Sequence, residues 1–209
     1  MSKVIAVTQG KGGSGKTTTC VNLACAMKEK GFNVIIADMD RDKPDALNWA
    51  KVSKDTTLSN IVIECFKDNP MNDLEELKKK YDYIFLDTPP NYQTASIKAV
   101  MLSDFVILPT SDSMLDQMAL SDATSIPKMA NKRYSLLANR VDKKTNASKA
   151  LLTSIDKTGN AFKTFVTSRK KMVESQFEGM WIGEYEKNGD NHIQYKSLVD
   201  ELLIKLNIV

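Results

Sequence analysis

The sequence predicts an α/β protein in which a parallel β-sheet is flanked by helices on both faces. Three observations carry that prediction. Six short apolar runs rich in β-branched residues recur over the first 140 residues, longer amphipathic stretches alternate with them, and the first run passes directly into a glycine-rich loop. Strands covered on both faces lose the polar alternation of a half-exposed strand and read as continuous apolar runs, as these do.

The predicted strands, in order, are "VIAVT" (4–8), "VIIAD" (34–38), "IVIE" (61–64), "YIFLD" (83–87), "FVILP" (105–109) and "SLLANR" (135–140), each bounded by turn formers or charges. Between them, helices are expected over 17–30, 45–53, 73–80, 93–102, 115–129 and 147–157. The stretch 159–192 mixes Gly, Lys and aromatic residues without a period and is left unassigned. In the tail "YKSLVDELLIKLNIV", Leu198, Leu202, Leu203 and Leu206 fall on one helical face, which predicts a helix packed on the domain.

Composition narrows the chemistry. With 209 residues, 42% hydrophobic and 26% charged, the chain is long enough for a sizeable core, and a net charge of +3 permits nucleic-acid binding without requiring it. Cys20, Cys25 and Cys65 are odd in number and lack metal-ligand spacing, so they read as reduced thiols filling the core. His192 is the single histidine, which argues against a histidine-based metal site or catalytic triad. No apolar run is long enough to span a bilayer, and "MSKVIAVTQG" enters a strand without the features of a signal peptide, so a cytoplasmic protein is expected.

The loop Gly10-Lys11-Gly12-Gly13-Ser14-Gly15-Lys16-Thr17 fits G-x-x-x-x-G-K-[ST] between a strand and a helix. Glycines let backbone N–H groups turn inward around phosphate oxygens, and the helix N-terminus adds a favourable field. In that pattern Lys16 reaches the β/γ-phosphates and the Thr17 hydroxyl ligates Mg²⁺. Two residues apart at the end of the second strand, Asp38 and Asp40 are expected to project to one side of an extended chain. Asp87 ends the strand "YDYIFLD", where a carboxylate can hold Mg²⁺ through water.

The stretch K-G-G-x-G-K-T-T, with its extra Lys11, resembles the deviant Walker A motif of the ParA/MinD family, and "IIADMDRD", Asp87-Thr88-Pro89-Pro90 and "DALNWA" (45–50) are similar to further family segments. The resemblance covers most of residues 3–140. It implies a P-loop NTPase of the deviant Walker type, residues 1–209 forming one ATPase domain without an N-terminal helix-turn-helix extension. It also implies ATP and Mg²⁺ as cofactors, with nucleotide held by Gly12, Gly13, Ser14, Gly15, Lys16, Thr17 and Thr18. Thr17 and Asp87 would serve the metal. Lys11 would reach the partner subunit's nucleotide in an ATP-dependent homodimer, and Asp40 would position the attacking water. Asn139, at the end of a strand, would contact the adenine, and Asp116 falls on an aspartate of the family's proline-loop pattern. Met114 and Met118 beside it read as packing. Arg41-Asp42 departs from the family's usual Pro-Gln.

Within the family, no cysteine follows residue 65, which removes the cluster ligands of the nitrogenase iron protein. ParA-type members bind DNA nonspecifically when ATP-dimerised, through clustered cations. Candidates here are Lys163, Arg169, Lys170 and Lys171, with Lys132, Arg133, Lys143, Lys144 and Lys149 as further basic residues. The expectation is a ParA-type ATPase that segregates or positions cargo, such as a plasmid, is nucleoid-associated when ATP-bound and is stimulated by a cargo-bound ParB-like protein. Two alternatives stand: a MinD-like membrane-associated ATPase, for which the mixed-charge tail is a poor membrane helix, and an ATP-held dimeric scaffold with negligible hydrolysis.

Overall fold

A computed structural model describes residues 2–52, 54–64, 70–90, 94–113 and 120–207; Cys65, Met114, Asp116 and Met118 lie outside them. Strands β1 (Lys3–Val7), β2 (Val34–Asp38), β3 (Val62–Glu64), β4 (Tyr83–Asp87), β5 (Phe105–Thr110) and β6 (Arg133–Ala138) form one sheet in the order β3-β2-β4-β1-β5-β6. All pairings are parallel. Helices α1 (Lys16–Glu29), α2 (Asp45–Val52), α3 (Pro70–Lys78), α4 (Thr94–Leu102), α5 (Leu120–Met129) and α6 (Asn146–Asp156) connect or follow these strands. This is the predicted fold class, and each predicted strand is present.

Side-chain alternation along the central strands divides the core in two. Ile5 and Val7 face a layer built from α1, α2 and the C-terminal helix, whereas Val4 and Ala6 face Leu74, Ala99, Val100 and Leu151 on the opposite layer. Since both faces are covered, β2, β4 and β5 are buried at every position, which is why they appear in the sequence as unbroken apolar runs.

Helix α1 is buried without interruption from Thr19 to Met27, because the sheet lies on one side and α9 (Asp190–Lys205) on the other. The tail prediction holds: Leu198, Leu202, Leu203 and Leu206 are all buried in the α1-side core. The helix starts at Asp190, ahead of that leucine pattern. His192, 1% exposed, braces its first turn: Nε2 lies 2.8 Å from Glu29 Oε2, and Nδ1 accepts the Asn188 N–H at 2.9 Å.

The unassigned stretch holds α7 (Lys170–Phe177) and α8 (Ile182–Tyr185), preceded by single bridges Leu136↔Ala161 and Val141↔Thr167 that extend the β6 edge. Distant side chains satisfy its backbone. Glu201 accepts from the N–H groups of Lys163 and Thr164, Gln194 from Thr167 and Asn22 from Ile182, at 2.7–3.0 Å. Chain held by such long-range bonds leaves no local period to detect.

Candidate nucleotide-binding site

The loop between β1 and α1 lies at the carboxyl ends of the strands, beside the sheet's central strand, where ligands of open α/β sheets bind. Gly13 (φ 75°) and Gly15 (φ 93°) adopt left-handed backbone that other L-residues rarely tolerate. Gly15 is required for a second reason: a Cβ there would stand 2.0 Å from Asn139 Nδ2. No described side chain caps α1, and no acidic residue sits in its first turn, so its leading N–H groups open onto a cleft of ≈ 340 Å³. An uncapped helix N-terminus behind a glycine loop is a ready anion cradle.

Gly12, Gly13, Gly15, Lys16, Thr17 and Thr18 line that cleft, with Asp40, Lys43 and Arg140 across from them. Ser14 is buried beneath the loop, and its hydroxyl has no hydrogen-bond partner among the described residues. Lys16 is 7% exposed, and Nζ donates to the Lys11 carbonyl at 3.3 Å. Burial lowers its pKa, while the charges of Asp87, Asp40 and Asp45 oppose the shift. Lys11 Nζ donates to Ser113 Oγ, at 2.8 Å, so within this chain the extra lysine lies along the start of the β5–α5 connection.

The two aspartates of "IIADMDRD" differ in burial. Pairing and alternation run on past Asp38: the Met39 N–H donates to the Asp87 carbonyl at 2.9 Å, and Met39 packs in the same core layer as Ile35 and Ala37. Asp38 is buried and accepts the N–H of Leu47 (3.0 Å), which caps α2, and that of Asp40 (3.1 Å). Burial pushes its carboxyl up to about 6 against those backbone bonds. Asp40 turns into the cleft, where its Oδ1 accepts the N–H of Lys43 at 2.9 Å.

Asp87 ends β4 opposite Asp38 in register. It is 2% exposed, and its Oδ1 finds no hydrogen-bond partner among the described residues. Burial, then the Asp38 charge, pushes its carboxyl up to about 8, opposed by the Thr17 hydroxyl and Lys16. An unpartnered buried carboxylate oxygen beside a hydroxyl at the mouth of a phosphate cradle suits a hard divalent cation, which takes oxygen ligands. The remaining ligands would come from phosphate and water, in keeping with the lack of any cluster of three or more His, Cys, Asp or Glu among the described residues. Thr88 fastens this strand end in place by donating to the Val7 carbonyl at 2.9 Å.

A second lobe of the cleft lies beyond Thr18 and Arg140, which line both parts. Its walls include Asn139, Val166 and, from α7, Met172, Val173 and Gln176. Asn139 borders this lobe just past the end of β6, but both ends of its amide are engaged: Nδ2 donates to the Ser14 carbonyl (3.3 Å) and Oδ1 accepts the Arg140 N–H (2.9 Å). Its visible work is to hold the phosphate loop against the strand ends. Sequence reasoning passed over Arg140, Lys43 and Gln176. Arg140 follows Asn139 directly in a left-handed conformation (φ 56°), a signal only the backbone reveals, and Gln176 belongs to the stretch without a period.

The basic candidates are all exposed but do not form one patch. Arg169 pairs with Asp190 at the start of α9, and Lys171 pairs with Glu174 at 3.1 Å, with Lys170 between them. Lys163 sits near the other end of α9, beside Glu201 and near Lys205. Asp190 and Glu201 are ~16 Å apart along the helix at its standard rise. Of the other cations, Lys132 donates to the Ser103 carbonyl, Arg133 to that of Lys205, and Lys143 lies 5.1 Å from the Phe165 ring.

The family model for the CobQ/CobB/MinD/ParA nucleotide binding domain matches residues 5–193. The chain is 30% identical over 212 residues to maintenance of carboxysome distribution protein A of Gloeobacter kilaueensis, covering 96% of this chain and 94% of that one. Among solved structures, a Borrelia burgdorferi protein assigned to plasmid partition, bound to AMPPNP, superposes with a TM-score of 0.79 at 20% identity, covering 98% of this chain and 100% of that one. The septum site-determining protein MinD of Pyrococcus horikoshii, complexed with Mg-ADP, gives 0.73 at 21% identity, covering 98% and 99%.

Proposed function

The chain belongs to the CobQ/CobB/MinD/ParA nucleotide-binding family, and on that premise we propose that it is a ParA-type ATPase that dimerises around ATP, binds DNA without sequence preference and positions a cargo through cycles of hydrolysis. One observation carries the ATPase part: the open N-terminus of α1 and Asp40 share one cleft, and the unpartnered Asp87 oxygen is buried beside Thr17 and Lys16 of its wall.

In this reading the triphosphate enters along the loop 10–17, where backbone N–H groups and Lys16 neutralise its oxygens. Thr17 and Asp87 would hold Mg²⁺, which supplies further neutralisation of the β- and γ-phosphates. Asp40, fixed by the Lys43 N–H, orients a water toward the terminal phosphate. Lys11 leaves Ser113 and crosses to the partner subunit, so that each active site is completed by the second copy. Dimerisation and nucleotide state are then one coupled equilibrium. Arg169, Lys170 and Lys171 supply cations for DNA phosphates, and a ParB-like protein on the cargo stimulates hydrolysis and release. Relatives that position plasmids, carboxysomes and the division site support the positioning role. The burial of Leu198, Leu202, Leu203 and Leu206 weighs against a tail that leaves the domain for a membrane.

The decisive experiment is retention of nonspecific double-stranded DNA with ATP–Mg²⁺, with ADP–Mg²⁺ and without nucleotide, at low and moderate salt. Retention confined to ATP–Mg²⁺ and weakening as salt rises supports the reading. Absence of retention in every state, despite ATP-dependent dimerisation, removes DNA from it and leaves a membrane or protein scaffold as the surface to seek.

A further inference from the structure

Helix α7 is bonded directly to the phosphate-loop helix. Gln176, in the last turn of α7, donates from Nε2 to Thr18 Oγ1 at 3.3 Å. One turn further along α1, Asn22 donates from Nδ2 to the Thr18 carbonyl at 2.8 Å and accepts the Ile182 N–H with Oδ1 at 2.8 Å. A single face of α1 thus holds both ends of segment 176–182. The other end of α7 carries Lys170 and Lys171, preceded by Arg169.

Thr18 and Arg140 form the waist of the cleft, so a ligand occupying both lobes must pass the Thr18 hydroxyl. A threonine hydroxyl has one proton and two lone pairs. When that proton is donated to a ligand oxygen, the lone pairs are polarised toward Gln176, and the two hydrogen bonds strengthen one another. The ligand also fills space against Met172 and Val173 on the same helix. Both effects favour α7 seated against α1, and an eight-residue helix carries the seating to its far end as a rigid body.

We propose that Gln176 is a positioning residue that couples occupation of the cleft to the seating of α7, and through α7 to the cations at 169–171. The inference rests on the ATP-binding part of the proposed function and adds the route by which nucleotide reaches the basic segment.

Amide hydrogen exchange of the full chain, with and without ATP–Mg²⁺, tests it. In the wild-type protein, exchange over 171–182 slows on the order of tenfold when ATP–Mg²⁺ is present. In Gln176→Ala, at ATP–Mg²⁺ concentrations that calorimetry shows to be saturating for that variant, the slowing is lost and DNA retention no longer depends on nucleotide. Should the alanine variant fail to fold, Gln176→Glu, which keeps the size and removes the donor, carries the same expectation. The proposal is overturned by a wild-type α7 indifferent to ATP, or by an ATP-saturated variant whose α7 slows as much as wild type. An α7 that responds in a protein retaining no DNA removes the DNA role and leaves the coupling standing. ATP-gated DNA retention with a silent α7 does the reverse.

Discussion

Asp38 and Asp87 stand opposite one another on neighbouring parallel strands, both buried, and the Asp38 charge raises the affinity of Asp87 for a proton. Their carboxyls are pushed up to about 6 and about 8, above the unfolded-state value near 4. A raised carboxylate pKa favours the folded state fully below the unfolded pKa and loses that contribution as pH climbs through the folded value. The nucleotide-free protein should therefore lose stability between about pH 4 and pH 8 through this pair, and Mg²⁺–ATP should restore it most at the upper end. Thermal melts across that range with and without Mg²⁺–ATP measure the effect. In Asp87→Asn the ligand-free slope flattens and the Mg²⁺ dependence of the ligand shift disappears.

The two aspartates of "IIADMDRD" should separate cleanly on mutation. Asp38 caps α2 from within the core, so Asp38→Ala costs about 1 kcal/mol or more of stability. Asp40 accepts one local N–H at the edge of the cleft, so Asp40→Ala should leave the denaturation midpoint within about 0.5 kcal/mol of wild type. It should bind ATP, hydrolyse it at least about 100-fold more slowly and accumulate as an ATP dimer. Denaturant titration, single-turnover hydrolysis and size-exclusion with light scattering separate the two.

Gly15→Ala combines a left-handed backbone with a steric conflict. The conformation alone costs about 1–2 kcal/mol, and the new methyl meets the Asn139 amide. Adding Asn139→Ala removes the collision but not the backbone strain, so the double variant should regain only part of the stability and none of the nucleotide affinity. Chemical denaturation of the two single variants and the pair provides the cycle.

Cys20 and Cys25 should resist alkylation in the native state. Burial in α1 raises both thiol pKa values well above the ordinary range, and neither side chain meets solvent. Reaction with iodoacetamide near neutral pH should follow global unfolding. Alkylation of either residue in native buffer at the rate of a free thiol would mean that the core around α1 opens without global unfolding.

Leu202→Ala at the α1–α9 contact should cost about 2–5 kcal/mol, because Leu202 is fully buried and its neighbours belong to a well-filled core. A loss below about 1 kcal/mol would show that the helix adjusts and the contact is soft.

The parts of this molecule that were legible in its sequence are those written in local patterns. The strands from Val34 to Asp38 and Tyr83 to Asp87 are unbroken apolar runs because both of their faces are covered, and Gly13 and Gly15 stand where left-handed backbone is needed. The parts that were not legible depend on partners far along the chain. Helix α7 and the approach to it are held by Asn22, Gln194 and Glu201, so the second lobe and Gln176 had no local signature. Asn139 was recognised at the correct strand end, yet the engagement of its amide with Ser14 and Arg140 depends on the fold. The division between Asp38 and Asp40 depends on what each meets in the fold: Asp38 is buried against the Leu47 N–H, whereas Asp40 lies at the edge of the cleft.

The packing of α9 on α1 also bears on how the chain folds as it is made. Glu29 and His192 touch across 163 residues of sequence, and the apolar face of α1 that ends up beneath Leu198 and Leu202 emerges from the ribosome long before its cover does. Until α9 arrives, the nascent chain displays the Thr19 and Ala26 side of α1 to solvent, a surface suited to chaperone capture or to clumping. Contacts of such long range slow folding, so refolding from denaturant should be limited by the docking of the last helix onto the first.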